Sequence, residues 1–247
     1  MKIVNEEELF KISDIDNLEI NSIEVGHTKT PVIYVDNFYK NPNTVREFSE
    51  SVYYSYSKHV RAGFPGARCS LNLDVNMISD FIYSTFNKLF PNKKLIVSRG
   101  SIIPSNVLFS RTRGNAPSVF PARYGPHCDY IGENTTEVPT NPNHNFGIVI
   151  YLNKPEECSG GTSFYRHKQS NTEVPKDFKE FLQIYRSITT RKVDEFFTDG
   201  DDDWELLFKV PMKFNRLVFY PTNLFHSGYI KKDTFLEYDR IAQVGFF

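Results

Sequence analysis

The sequence predicts a mainly β fold, a β-sandwich or jelly roll with flanking α-helices drawn mostly from the N-terminal part. Three observations predict it. Short apolar segments separated by loops recur from Asn106 onward, the spacing of strands rather than helices. Helical patterns are concentrated upstream of that point. Aromatic residues, 22 Phe, 14 Tyr and 1 Trp, make up 15% of the 247 residues, and such rings suit pleated, half-buried surfaces.

The elements are taken in chain order. Thr44 and Glu47 form a capping-box pattern, and Val45, Phe48, Val52 and Tyr56 recur on one helical face behind it. A turn-rich loop, Ala62 to Arg68, separates this helix from a second that starts near Asn76. Its register is Ile78, Phe81, Ile82, Thr85 and Leu89, and Pro91 stops it. Strands are expected at Val107–Ser110, Ile148–Leu152, Thr162–Tyr165, Leu206–Val210, Leu217–Tyr220 and Ile241–Phe247. One helix interrupts them, with Pro175 in its first turn and an apolar stripe of Phe178, Phe181, Leu182 and Tyr185.

Composition narrows the function classes. Lys and Arg total 29 against 30 Asp and Glu, a formal net charge of −1, which lacks the basic excess of a nucleic-acid binder. A hydrophobic content of 40% with so little net charge excludes a disordered chain. The longest strongly apolar run, Phe146 to Leu152, is far shorter than a bilayer-spanning helix. Glu6, Glu7 and Glu8 stand where a signal peptide carries its apolar stretch. Cys69, Cys128 and Cys158 are odd in number and lack CxxC spacing, so neither a disulfide framework nor a structural zinc site is indicated. These features predict a cytoplasmic protein with no nucleic-acid or membrane partner.

The chemistry is concentrated in Tyr124-Gly125-Pro126-His127-Cys128-Asp129. In an extended chain residues i and i+2 share a face, so His127 and Asp129 can reach one ion. With 6 His and 30 acidic residues in the chain, one His-x-Asp is close to what chance supplies. The downstream residues, in their chain order, give the pair more weight. A strand, Arg216 to Pro221, leads into Leu224-Phe225-His226-Ser227-Gly228, and His226 would complete two imidazoles and one carboxylate, the set diagnostic of non-haem Fe(II) oxygenases. Fourteen residues later Arg240 opens the last strand, and its guanidinium can offer a fork to a carboxylate.

These residues resemble the signature of Fe(II)- and 2-oxoglutarate-dependent oxygenases, especially the prolyl 4-hydroxylase-like branch. Tyr124 to Asp129 is similar to its Tyr-x-Pro-His-x-Asp motif, and Gly160-Gly161-Thr162-Ser163-Phe164 to its Gly-Gly-x-x-x-Phe strand. Leu217 to Gly228 is similar to the strand bearing its second histidine. The resemblance covers roughly residues 105 to 247. It implies a double-stranded β-helix, cupin-like, with residues 1–104 as a helical or mixed flank and a helical insert near 175–190, all within one domain over 1–247. It implies Fe(II) on His127, Asp129 and His226, and 2-oxoglutarate paired with Arg240 and helped by Tyr124. The implied reaction couples O2 and oxidative decarboxylation of 2-oxoglutarate to succinate and CO2 with hydroxylation of a C–H bond. The substrate would be an amino acid, an amino-acid-derived metabolite or a peptidyl residue. Asp129 favours hydroxylation, because related halogenases lack this carboxylate and hold chloride there. The branch usually places Lys ten residues after the second histidine, so Arg at fourteen is a departure.

Two other functions fit the same residues. One is a non-catalytic jelly-roll metal-binding or sensory module. The other is a cupin-like metalloenzyme that does not use 2-oxoglutarate, a class more often built on three histidines and a glutamate. Rival residues also exist. His144 and His167 are alternative ligands, Cys128 is expected to point away from the metal, and Arg166 and His167 are candidate substrate contacts. Arg61 and Arg68 flank the Gly63 to Gly66 loop and can clamp a substrate carboxylate or phosphate. Asp199 to Asp203 lacks EF-hand spacing and reads as a solvated loop. Many rings fall beside the motifs: Tyr124, Tyr130, Tyr151, Phe164, Tyr165, Phe219, Tyr220, Phe225 and Phe246. Some are expected to pack, others to wall the site.

Overall fold

The computed structural model describes residues 6–55, 66–70, 76–93, 107–113, 125–129, 146–189, 196–231 and 233–247. A four-residue helix, α1 (Glu6–Leu9), precedes a hairpin of β1 (Glu19–Val25) and β2 (Thr30–Asp36). The hairpin has no counterpart among the expected elements. Strand β2 reads Thr-Pro-Val-Ile-Tyr-Val-Asp and is buried along nearly its whole length, whereas β1 is mostly exposed. A buried strand carries a continuous apolar run rather than an alternation, so its period gives no warning. The turn between them needs Gly26, at φ +69°, because a Cβ there would meet the Glu173 carboxylate at 2.2 Å.

Helix α2 spans Pro42–Ser51. It begins at proline, whose missing N–H costs nothing at the first helical position, so Thr44 lies inside the helix and the expected capping box does not form. Asn41 is the N-cap and makes no side-chain cap bond. Part of the expected loop is instead strand β3 (Ala67–Ser70), which pairs with β4 (Val107–Thr112). Helix α3 (Asn76–Leu89) matches the expectation and buries Ile78, Ile82, Thr85 and Phe86. The remaining elements are β5 (Phe146–Tyr151), β6 (Gly161–His167), α4 (Phe178–Thr189), β7 (Trp204–Pro211), β8 (Leu217–Pro221), β9 (His226–Tyr229) and β10 (Arg240–Phe246). Pro175 lies upstream of α4 rather than in its first turn. Asp177 accepts the Glu180 N–H at 2.7 Å and starts the helix.

Among the described residues the strands form two antiparallel sheets, the mainly β jelly-roll arrangement expected. The larger has order β1-β2-β8-β5-β10-β4-β3 and the smaller β7-β6-β9. The first 104 residues are therefore more than a flank: β1, β2 and β3 cover both edges of the larger sheet, which would otherwise present unpaired backbone groups. In the smaller sheet, β6 is pressed between its neighbours. A Cβ at Gly161 (φ +150°) would meet the Val210 carbonyl at 2.0 Å, and one at Gly160 (φ +73°) the Tyr229 carbonyl at 1.9 Å. No helix among the described residues is long and apolar enough to cross a membrane.

Alternation along the strands separates the larger sheet's two faces. Its outer face carries Ile33, Phe109, Phe146, Ile148, Leu217, Phe219 and Ile241, which pack with Val45 of α2 and Ile78, Ile82 and Phe86 of α3. Burying each such side chain contributes roughly 1.5–3 kcal/mol, and edge contacts such as Phe146–Phe219 (centroids 5.7 Å, 90°) add to it. Its inner face packs on the smaller sheet through Val32, Val149, Tyr151, Val218, Tyr220 and Ala242 against Phe164 and Val210. Beyond the smaller sheet, Ile184 of α4 packs with Tyr165, Trp204, Phe225 and Cys128.

Candidate metal centre

The short segment holding His127 and Asp129 lies beside β9. The His127 N–H donates to the His226 carbonyl and the His226 N–H returns the bond to His127, each at 2.9 Å. The Asp129 N–H donates to the Thr222 carbonyl at 2.9 Å. This pairing turns both i and i+2 side chains inward, and Cys128 between them points away into the cluster around Trp204. Its thiol donates to the Asn223 carbonyl at 3.1 Å.

One ligand atom from each of His127, Asp129 and His226 lies within 4.8 Å of the others. His226 Nε2 is 3.0 Å from Asp129 Oδ2, and His127 Nε2 is 3.7 Å from Oδ1. The imidazole centroids are 4.6 Å apart. Each ring is oriented from behind. His127 Nδ1 lies 3.0 Å from the Gly125 carbonyl and His226 Nδ1 2.9 Å from the Leu224 carbonyl. A carbonyl only accepts, so both Nδ1 atoms carry the proton and both Nε2 atoms face the centre. This is the tautomer and second-layer support that a metal-bound imidazole uses. Two imidazoles and one carboxylate on one side fit Fe(II).

The electrostatics suit a cation. Burial by itself would raise the Asp129 carboxyl, but His226, His127 and Arg68 outweigh it and hold the group below the usual range. Burial would lower His226, and the neighbouring Asp129 outweighs that too, so His226 sits above its ordinary value. Metal loading therefore competes with a proton at this site. Tyr220 packs against His226 with centroids 4.5 Å apart and the rings tilted by 51°, and burial, then Asp129, pushes its phenol well above its usual range.

The triad opens into a cavity of about 130 Å³, walled on its apolar side by Val149, Phe196, Ile230, Val244 and Phe246. Arg240 and Arg68 line it as well. Arg240 is 7% exposed, and its Nε is a buried donor with no hydrogen-bond partner among the described residues. Its guanidinium lies 5.3 Å from the Tyr151 ring, and the Tyr151 hydroxyl shares a 2.6 Å hydrogen bond with Thr162. A buried guanidinium N–H without an acceptor is costly unless an anion meets it.

The other expected site residues divide. Arg166 and His167 do not line the cavity. Arg166 is held by Glu173 at 2.6 Å and Glu205 at 3.1 Å, and His167 lies against Trp204 with Nδ1 bonded to Ser170. Thr162, near the start of β6, lines the cavity, and Arg166 and His167 stand at the other end of the strand. Arg61, Tyr124, Tyr130 and His144 lie outside the described residues. Of the rings expected nearby, Tyr220 and Phe246 line the cavity, but Phe219 packs on the outer face and Tyr165 and Phe225 beyond the smaller sheet. Sequence reasoning missed Gly147. A Cβ there would lie 2.9 Å from Asp129 Oδ2 and 3.1 Å from the Tyr220 ring. The one signal is a glycine inside a strand, which marks close approach by another group.

Comparison with solved structures finds structural similarity to prolyl 4-hydroxylases across most of the chain. A Pseudomonas putida prolyl-4-hydroxylase is 10% identical with a TM-score of 0.42, the match covering 98% of this chain and 95% of that one. The viral collagen prolyl hydroxylase of Paramecium Bursaria Chlorella virus-1 is 10% identical with a TM-score of 0.39, covering 95% and 98%. A Phytophthora capsici prolyl 4-hydroxylase is 10% identical with a TM-score of 0.41, and the chain matches 87% of itself to only 57% of that longer protein. No curated protein matches the sequence. The model of a family of unknown function, DUF6445, matches residues 16–242, and the chain belongs to that family.

Proposed function

We propose that this protein is an Fe(II)- and 2-oxoglutarate-dependent dioxygenase that hydroxylates a C–H bond of an amino acid, an amino-acid-derived metabolite or a peptidyl residue. One observation carries the reading: a His127–Asp129–His226 triad and the buried Arg240 guanidinium, whose Nε–H has no partner among the described residues, line the same cavity. His127, Asp129 and His226 would hold the metal through Nε2, a carboxylate oxygen and Nε2. Arg240, with the hydroxyls of Tyr151 and Thr162 close by, would hold the far carboxylate of 2-oxoglutarate. When bound, iron and the keto acid supply the oxidising power for C–H cleavage, with succinate and CO2 as co-products. The chain's own contribution is orientation and dryness. The carbonyls of Gly125 and Leu224 fix both imidazoles, and the wall of Val149, Ile230, Val244 and Phe246 keeps water from the reacting groups.

The test begins with anaerobic protein given Fe(II) and 2-oxoglutarate. The expected result is the weak metal-to-ligand charge-transfer absorption of a chelated keto acid, abolished in His226→Ala. In Arg240→Ala the band should demand at least about tenfold more 2-oxoglutarate, the scale of one lost charge-assisted pair, with metal content retained. Absence of the band in the unaltered protein overturns the reading. A band indifferent to Arg240→Ala returns the site to a metalloprotein that does not use the keto acid.

A further inference from the structure

Five tyrosines are buried among the described residues, and four of them have a bonded hydroxyl. Tyr39 donates to Gln243 at 2.5 Å, Tyr165 to the Thr198 carbonyl at 2.7 Å and Tyr229 to Asp199 at 2.6 Å, while Tyr151 shares its bond with Thr162. Pairing is the rule for a buried phenol, because a hydroxyl withdrawn from water without a partner is costly. Tyr220 is the exception. Its ring packs on His226 and on Phe164 (centroids 5.2 Å), but its hydroxyl makes no hydrogen bond among the described residues. It is also the one of the five that lines the cavity of the triad.

Strand register says which end of the site this hydroxyl serves. On β5, Gly147 and Tyr151 turn to the same face, four residues or roughly 13 Å apart. Gly147 pairs with Tyr220 and lies against Asp129, whereas Tyr151 pairs with Ala242 on β10 and lies against Arg240. Tyr220 therefore stands at the metal end of the row and Arg240 at the other, and the charge acting most strongly on the phenol is that of Asp129. A phenylalanine would fill the space beside His226 equally well; the hydroxyl adds a donor next to the triad. Resting on the oxygenase reading above, we propose that the Tyr220 hydroxyl donates a hydrogen bond to the 2-oxo acid end of 2-oxoglutarate and positions it on the metal, while Arg240 holds the far carboxylate.

The experiment titrates the anaerobic Fe(II) protein with 2-oxoglutarate and with pyruvate, which carries the 2-oxo acid but no far carboxylate, and reads the charge-transfer band. Tyr220→Phe keeps the ring and removes the hydroxyl. It should weaken both keto acids about tenfold, the scale of one hydrogen bond to a charged group, and displace the band maximum. Arg240→Gln should weaken 2-oxoglutarate and leave pyruvate unchanged. In Tyr220→Phe without keto acid, Fe(II) affinity should not change and the urea midpoint should hold or rise, because the hydroxyl has no bond to lose. If pyruvate binds too weakly to give a band, the position of the 2-oxoglutarate band decides: it should move in Tyr220→Phe and stay in Arg240→Gln, and the converse overturns the assignment. The proposal alone is overturned if the band forms and Tyr220→Phe leaves both affinity and position unaltered, or if that variant weakens 2-oxoglutarate but not pyruvate. A fall in its Fe(II) affinity or urea midpoint, or failure to fold, assigns the hydroxyl to the triad or the fold and overturns it too. If the band never forms in the unaltered protein, the oxygenase reading falls and this proposal with it.

Discussion

The two faces of the larger sheet are made by the same strands and carry different burdens. On β10, Ile241 turns outward to the helices, while Arg240, Val244 and Phe246 turn inward to the cavity. On β8, Phe219 faces outward and Tyr220 inward against His226. The outer face is aliphatic and aromatic side chains in mutual contact. The inner face mixes such residues with guanidiniums and hydroxyls that an apolar core would not tolerate unpaired. A two-residue period thus lets one strand stabilise the fold with half its side chains and line the candidate metal centre with the other half. A charge's meaning here depends on where it is satisfied. Arg166 is neutralised by Glu173 and Glu205 outside the cavity, whereas Arg240 lines the cavity and its buried Nε–H has no partner among the described residues.

The largest expected effect tests the outer face. Phe219→Ala should cost about 3–5 kcal/mol, the usual range for a fully buried phenylalanine, seen as a lowered midpoint in urea. Metal stoichiometry of the remaining folded protein should not change. Coupled loss of metal affinity and stability would break the division between faces.

Glu173 comes next, as the charge that clamps the two sheets together. It accepts the His27 and Thr28 N–H groups and the Thr28 hydroxyl from the β1–β2 turn, and pairs with Arg166 on β6. Burial alone would raise its carboxyl, yet these donors outweigh it and lower the group from 4.5 to about 2. A depressed folded value means stability that is present above about pH 4.5 and lost as pH falls toward 2. Its scale is roughly 3 kcal/mol. Glu173→Gln should lower stability at neutral pH by that order and flatten the acid limb between those values, followed by urea midpoints against pH. An unchanged acid limb would place the clamp elsewhere.

Gly147→Ala should give the smallest change in stability and a selective one in function. The added methyl presses on Asp129 Oδ2 and Tyr220, so Fe(II) affinity should fall about tenfold with the urea midpoint nearly held. Equal losses in both would mean that the glycine serves the strand rather than the triad.

Much of the architecture is set by patterns within a few residues. Helix α3 and six strands lie where periodicity put them, because a helix face or a strand alternation is complete within one segment. The triad is legible for the same reason. His127 and Asp129 share a face by local geometry, and His226 comes after a strand of plain hydrophobic character. Strand β3, by contrast, is Ala-Arg-Cys-Ser, which states no preference and becomes a strand only by pairing with β4. The β1–β2 hairpin escaped notice because β2 is buried on both faces and β1 is a polar edge.

The sequence by itself determined the candidate ligand types, their chain order, the three longer helices and most core strands. These depend on side-chain chemistry and short-range periodicity, which any window of the chain contains. Only the tertiary structure decided that Arg68 enters the cavity while Arg166 is withdrawn into an ion pair, and that Gly147 makes room for Asp129. It alone also set two backbone carbonyls to fix the imidazole tautomers. Each of those is a contact between segments distant in sequence or a direction chosen by sheet register, and register is a property of paired strands rather than of either strand alone.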